Sequence, residues 1–203
     1  MIWHETGITS LNDLKNREVN IGVTGTDDIR YMSTAMMKNV AGAKLKIVPG
    51  YPGSTDIRLA IERRELDGVC DSWQSLKSTK AEWVQDNKVN LLVQMAAKPH
   101  PNMQKVPTIM EFAAPNMKTA LDLLVSPGES GRSFVGPPGV PADRLEILRR
   151  AFDASMKDKE FLDTTAKSRL DVEPMPGEEI EKFLNRIYKA SPEDVATARK
   201  LIQ

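Results

Sequence analysis

The sequence predicts an α/β fold built on a parallel sheet, and three observations carry that expectation. Two short apolar segments, Val19–Val23 and Leu45–Val48, are each followed by turn formers and then by a run with helical spacing, the signature of successive strand-loop-helix units. Similar loop chemistry recurs after a third apolar segment, Gly68-Val69-Cys70, at Asp71-Ser72-Trp73. Crossover connections between parallel strands bring such loops to one rim of the sheet. Helix N-termini collect there with unpaired backbone N–H groups, so a ligand cleft at that rim is the first functional expectation.

Residues 1–8 show no clear period and read as a lead-in segment, and Ile8–Lys15 reads as a capped helical turn. Val19–Val23 is a strand that breaks at Thr24-Gly25-Thr26-Asp27-Asp28. The helix after it places Ile29, Met32, Met36, Met37 and Val40 near one face, with the methionines as core filler rather than a sulfur ligand set. Leu45–Val48 stops at Pro49-Gly50-Tyr51-Pro52-Gly53, where Ser54, Thr55 and Asp56 are suited to cap a helix running from about Thr55 to Arg64. Ile57, Ala60 and Ile61 face inward from it.

A third strand over Gly68–Cys70 leads to a polar helix from about Ser75 to Gln85. Val89–Met95 is the longest strand candidate, apolar enough to sit centrally with both faces buried. Pro99, Pro101 and Pro107 force extended or turn geometry on the residues before them. Short helices follow from Thr108 to about Ala113 and from Met117 to Leu124. The dense prolines and glycines between Ser126 and Pro141 bracket one short strand, Arg132–Val135, and mark a crossing between substructures.

After it the character is helical. Pro141-Ala142-Asp143 suits a first turn, Leu145, Leu148, Phe152 and Met156 form one apolar stripe, and Ile180, Phe183, Leu184, Ile187 and Tyr188 form a second. Between the stripes lies a strand candidate, Asp171–Met175, and a last helix runs from about Pro192 to Ile202. The tail supplies helices for a sheet it barely contains, so both stripes need a covering surface.

Composition excludes several classes. The 203 residues suffice for one large domain or two small ones. Lys plus Arg equals Asp plus Glu at 28 each, so no overall field draws nucleic acid or an anionic membrane surface. The apolar run Val89–Ala97 is broken by Asn90 and Gln94 and falls far short of a membrane span. Met1-Ile2-Trp3-His4-Glu5 lacks the basic and apolar regions of a secretory signal. With Cys70 as the only cysteine, no intrachain disulfide forms. His4 and His100 are the only histidines, and no His-x-x-x-His, Cys-x-x-Cys or Gly-x-Ser-x-Gly pattern occurs. No catalytic residue, metal ligand or cofactor is expected.

Backbone N–H groups and short hydroxyls are able to hold the oxygens of a small ligand at such a rim. Thr24, Gly25 and Thr26 at the first loop, Gly53, Ser54 and Thr55 at the second, and Ser72 at the third supply them. Tyr51 either walls the pocket or packs in a hinge, and Asp71 either holds a ligand amine or water or caps a turn.

Six short motifs, in order, carry a resemblance: Gly22-Val23-Thr24-Gly25-Thr26, Val48-Pro49-Gly50-Tyr51-Pro52-Gly53, Glu62–Gly68, Val106-Pro107-Thr108-Ile109-Met110-Glu111, Pro137-Pro138-Gly139-Val140-Pro141-Ala142, and Leu148–Phe152 with Met156-Lys157-Asp158. Together they resemble the substrate-binding proteins of tripartite tricarboxylate transporters, the TctC or Bug receptors. The resemblance implies a type II periplasmic-binding-protein-like fold, two α/β lobes hinged around a cleft that traps a small carboxylate. It implies delivery to membrane permease subunits and no chemistry on the ligand.

It begins at about residue 9, without the family's N-terminal portion. Residues 9–125 would then be a complete second lobe, and residues 126–203 the returning, mostly helical part of the first. The family is periplasmic, while this sequence shows no export signal. An uncovered tail implies a homo-oligomer through the C-terminal helices, or a separate piece packed on them. The sequence departs from the family at Asp27 and Asp28, where small or hydroxyl residues are usual. Both favour the helix dipole and would repel an anion, so Asp27 joins the candidate site and a ligand with an amine or amide is expected over a tricarboxylate. The alternatives are a cytoplasmic ligand-sensing domain and a non-binding, self-associating relic of the same fold.

Overall fold

The computed structural model describes residues 1–128 and 130–203; Glu129, in the turn-rich stretch, lies outside the described residues. Strands β2 (Val19–Gly22) and β3 (Leu45–Val48) pair in parallel, with Val19 opposite Leu45 and Gly22 opposite Val48. On the other side of β2, the backbone at Gly68 bridges Ile21 in parallel and Ile2 in antiparallel sense. Strand β1 (Ile2–Trp3) pairs antiparallel with β4 (Val89–Asn90). The order across the sheet is therefore β3, β2, the Gly68 segment, β1, β4. Gly68 is required by this packing, because a Cβ there would lie 2.4 Å from the Met1 carbonyl oxygen.

Three expectations about strands are corrected at this sheet. The expected third strand over Gly68–Cys70 does not form, because Gly68 alone bridges to Ile21 and Ile2. The lead-in segment contributes β1, whose two residues are too few to display an alternation. Val89–Met95 is not a central strand: only Val89 and Asn90 pair, and Gln94 makes one bridge, to Thr108. The polar residues that interrupt the run explain why. Asn90 Nδ2 donates to the Ile8 carbonyl at 2.7 Å, and Gln94 Nε2 donates to the Met103 and Val106 carbonyls while its Oε1 accepts the His100 N–H. These amides fasten neighbouring loops instead of extending a ladder.

The strand candidates Arg132–Val135 and Asp171–Met175 are also corrected, since neither span forms a strand. An extended segment becomes a strand only beside a free sheet edge; Phe134 and Val135 instead stand almost wholly in solvent.

The helices follow the sequence more closely. Helix α1 (Leu11–Asn16) starts in a capping box, with Ser10 Oγ accepting from the Asp13 N–H and the Asp13 carboxylate accepting from the Ser10 N–H. Helix α2 (Ile29–Ala41) buries Met36 and Met37 as expected, but Ile29 is exposed and Ser33, Thr34 and Ala35 are buried. Helix α3 (Ser54–Glu62) buries Ile57, Ala60 and Ile61 as expected, and Arg58 as well. The expected helix over Ser75–Gln85 is two, α4 (Trp73–Thr79) and α5 (Ala81–Gln85). The break at Lys80 turns Trp83 into the core, edge-on to Trp3 at 5.1 Å with its indole N–H on Glu62.

Helix α6 (Lys118–Val125) buries Ala120, Leu121 and Val125. Helices α7 (Ala142–Ser155), α8 (Lys159–Lys167) and α9 (Gly177–Tyr188) bury no residue at all. Helix α10 (Pro192–Leu201) returns to the α/β part, where Ala198 and Leu201 are buried and Asn39 Nδ2 donates to the Leu201 carbonyl at 3.1 Å. One apolar cluster joins α1, α2, α6 and α10; the other joins α3, α4, α5 and β4. Among the described residues, no helix is long and apolar enough to cross a membrane.

Candidate functional site

The loops after β2, after β3 and after the Gly68 segment meet, and one arginine fastens them together. The Thr24 carbonyl at the first loop accepts the Gly50 N–H of the second at 3.3 Å. From the first turn of α2, Arg30 Nη1 donates to both Asp28 carboxylate oxygens at 3.2 Å, while Nη2 donates to Ser54 Oγ in the second loop and to Asp71 Oδ1 in the third at 3.1 Å. Behind it, Arg58 donates from Nε and Nη2 to Asp71 Oδ2 at 3.0 and 2.5 Å. Arg58 is completed by the hydroxyls of Ser75 and Thr79 on α4. Two carboxylates and two guanidiniums thus lie in one half-buried to buried row, and their charges balance.

Each predicted residue can be placed. Thr24 donates its N–H and its hydroxyl to Asp28, the latter at 2.7 Å. Gly25, Thr26 and Asp27 complete the turn, with Thr26 and Asp27 exposed. Gly53 is the N-cap of α3, and Ser54 opens that helix with its hydroxyl committed to Arg30. Thr55 is exposed, and Tyr51 is half-buried against the cluster that contains Ile57 and Trp83. Ser72 caps α4, its Oγ accepting from the Ser75 N–H and its own N–H donating to Asp71. Asp71 has both oxygens engaged by arginines and is the counter-ion of the site, not an open anchor.

Sequence reasoning missed Arg30, Arg58 and Trp73. Arg58 left a readable signal, since it lies four residues after Ser54 and three before Ile61 and so shares the inward side of α3. Arg30 left none, because beyond neighbouring Asp28 its partners, Ser54 and Asp71, come from loops far apart in the chain. Two buried donors have no acceptor among the described residues: Arg30 Nε in this row, and the indole N–H of Trp73, whose ring stands edge-on to His100 at 6.3 Å. A buried donor without a partner costs about 1–3 kcal/mol, so an incoming acceptor oxygen would be favoured there.

The charges set a pH dependence. Burial pushes the Asp28 carboxyl up, but hydrogen bonds from the Thr24 hydroxyl and the Arg30 and Thr24 N–H groups, with the Arg30 charge, outweigh it and hold the group below its ordinary value. A depressed folded value means that the stabilisation is complete above the ordinary aspartate range near about 4 and is lost as the pH falls through the lower folded value. Thermal melts from about pH 5 to about pH 2.5 should show a steeper loss for the wild type than for Asp28→Asn, which keeps the cap but cannot titrate. Equal slopes would remove Asp28 from the account. The Cys70 thiol at the end of the third segment is pushed up by burial and stays protonated.

A second cluster joins His100 with Asp171 and Glu173, whose donor atoms lie within 4.8 Å of one another beside a groove of about 390 Å³. Asn102 donates its N–H to His100 Nδ1, which leaves the proton of the neutral ring on Nε2, facing Glu173 Oε1 at 3.5 Å. Lys77 already pairs with Asp171, and Gln74 donates to the Arg169 carbonyl. With its imidazole nitrogen and one carboxylate so engaged, the cluster ties α4 and the His100 loop to the segment between α8 and α9.

No family profile and no curated protein matches the sequence. Solved structures do match. A TctC solute-binding protein from Polaromonas, solved without ligand, superposes with a TM-score of 0.61 at 16% identity, over 95% of this chain and 59% of that one. An R. palustris protein solved with adipate gives a TM-score of 0.60 at 15% identity, over 98% of this chain and 63% of that one. The chain thus has the α/β fold of these solute-binding structures, in agreement with the resemblance carried by its motifs, and spans about 60% of their length.

Proposed function

We propose that this chain is part of a solute-binding receptor of the tripartite tricarboxylate transporter type, which takes a small carboxylate or an amide- or amino-acid-like metabolite at the rim where the three loops meet. The carrying observation is that Arg30 joins all three loops and still has an unbonded donor. The Thr24 and Ser54 hydroxyls are already committed to Asp28 and Arg30, so a ligand oxygen is held by Arg30 Nε at about 1.5–3 kcal/mol for a charge-assisted bond, which requires no metal and no covalent step. In this reading the protein is not an enzyme; it works in the periplasm, and its further partners are membrane permease subunits. Residues 9–125 serve as one lobe and residues 126–203 as the returning part of the other.

Asp28, expected to repel anions, is neutralised by Arg30, which widens the ligand class to include dicarboxylates. Asp27 and Asp56 remain exposed near the first two loops and disfavour a third carboxylate. A thermal-shift screen of dicarboxylates including adipate, amino acids, amides and citrate tests the reading. Stabilisation by one of the first three groups is expected, and stabilisation by citrate-like compounds alone, or by nothing, counts against it. The second reading, a self-associating relic without a ligand, is favoured by the unburied helices α7 to α9.

A further inference from the structure

We infer that Arg30 is the residue that sets the charge class of the ligand: it makes an otherwise acidic meeting point of loops accept an anionic group, one oxygen of which is bound by its Nε. This rests on the receptor reading and names its selector. The side chains of Asp28 and Asp71 are 8% and 2% exposed, and Arg58, 5% exposed, balances only one of the two charges. Arg58 is also spent, with its Nε and both terminal nitrogens engaged on Asp71, Ser75 and Thr79. Arg30 supplies the remaining positive charge and, at 17% exposure, is the more accessible of the two arginines. Without it the row carries a net negative charge with Asp28 uncompensated.

The geometry of the fork adds a second constraint. Both terminal nitrogens of Arg30 are held by Asp28, Ser54 and Asp71, so only the Nε edge is left to donate. A guanidinium held in this way offers one further bond in its plane, which fits a single carboxylate oxygen rather than a bidentate clamp. A lysine would restore the charge but would have no separate edge to offer.

Adipate and hexanediamine, chains of equal carbon number with opposite end charges, are the probes, read by calorimetry on the full chain. Wild type is expected to bind adipate in preference to the diamine. Arg30→Gln should weaken adipate by roughly 100-fold and reverse the order, since truncating one partner of a desolvated charge pair has effects of that size. Arg30→Lys should keep the order and bind adipate more weakly than wild type. Asp28→Asn should tighten adipate several-fold, a change of opposite sign that decides the matter even if Arg30→Gln does not fold.

A folded Arg30→Gln that keeps the wild-type order, or an Asp28→Asn that weakens adipate, overturns the inference. So does a wild type that binds neither probe at millimolar concentration or prefers the diamine. In that case the receptor reading still stands if another compound of the screen stabilises the protein, and falls if none does.

Discussion

Asp71→Ala is expected to lower the stability of this protein by about 3–5 kcal/mol, the range for removing one partner of a buried ion pair. The side chain is 2% exposed and accepts from Arg30, from Arg58 through two nitrogens, and from the Ser72 N–H. Its loss leaves the Arg58 guanidinium, 5% exposed, with only the neutral hydroxyls of Ser75 and Thr79. Desolvation of that orphaned charge dominates the loss, because the net gain from forming a buried pair is itself small. In a chain of this length the change lowers Tm by about 10 °C or more.

The control is the double replacement Asp71→Leu with Arg58→Met, which removes both charges of the innermost pair and should recover much of the loss. Asp56→Ala, at an exposed position beside the same loops, should stay within about 0.5 kcal/mol. Chemical denaturation measures all three. A loss below about 1 kcal/mol for Asp71→Ala would mean that the row of four charges does not hold the loops together.

The parts of the fold that the sequence discloses are those whose partners are near in the chain. Ser10 and Asp13 stand three residues apart and form the capping box at the start of α1. The parallel pairing of β2 with β3 follows from one strand-loop-helix unit being succeeded by another. The disagreements arise where a distant partner decides. Ile2 and Trp3 become a strand because Gly68 and β4 approach from either side, and no property of residues 1–8 themselves signals it. Gln94 reads as an interruption in an apolar run, whereas its role depends on carbonyls at Met103 and Val106. The same holds at the candidate site: the three loops were legible as turn chemistry, but Arg30 takes its meaning from Ser54 and Asp71, which are 24 and 41 residues away.

Concentration-dependent self-association of the isolated chain is the other large effect expected, and it follows from a face with nothing to cover it. Helices α7, α8 and α9 bury no residue, and Leu148 and Tyr188 are 59% and 84% exposed. Phe134, at 89% exposure, meets the Phe152 ring at 5.9 Å between centroids. Arg149 ties α7 to α9 through Glu178 and Glu181, while Leu145, Phe152, Ile180 and Phe183 on the predicted stripes are only half-buried, so apolar surface on these helices is left partly open. Covering a large apolar side chain is worth about 1.5–3 kcal/mol, and several such side chains sum to a value comparable with the net stability of a domain.

Sedimentation over a range of concentrations should therefore show association, and a dye that reports exposed apolar surface should brighten. The combined variant Leu148→Glu, Leu184→Lys and Tyr188→Ser should abolish both signals and leave the unfolding midpoint of the α/β part unchanged, since these side chains contribute nothing to either buried cluster. A drop in that midpoint would show that the three residues pack inside one chain, and a monomer at every concentration with no dye response would show that the face is closed.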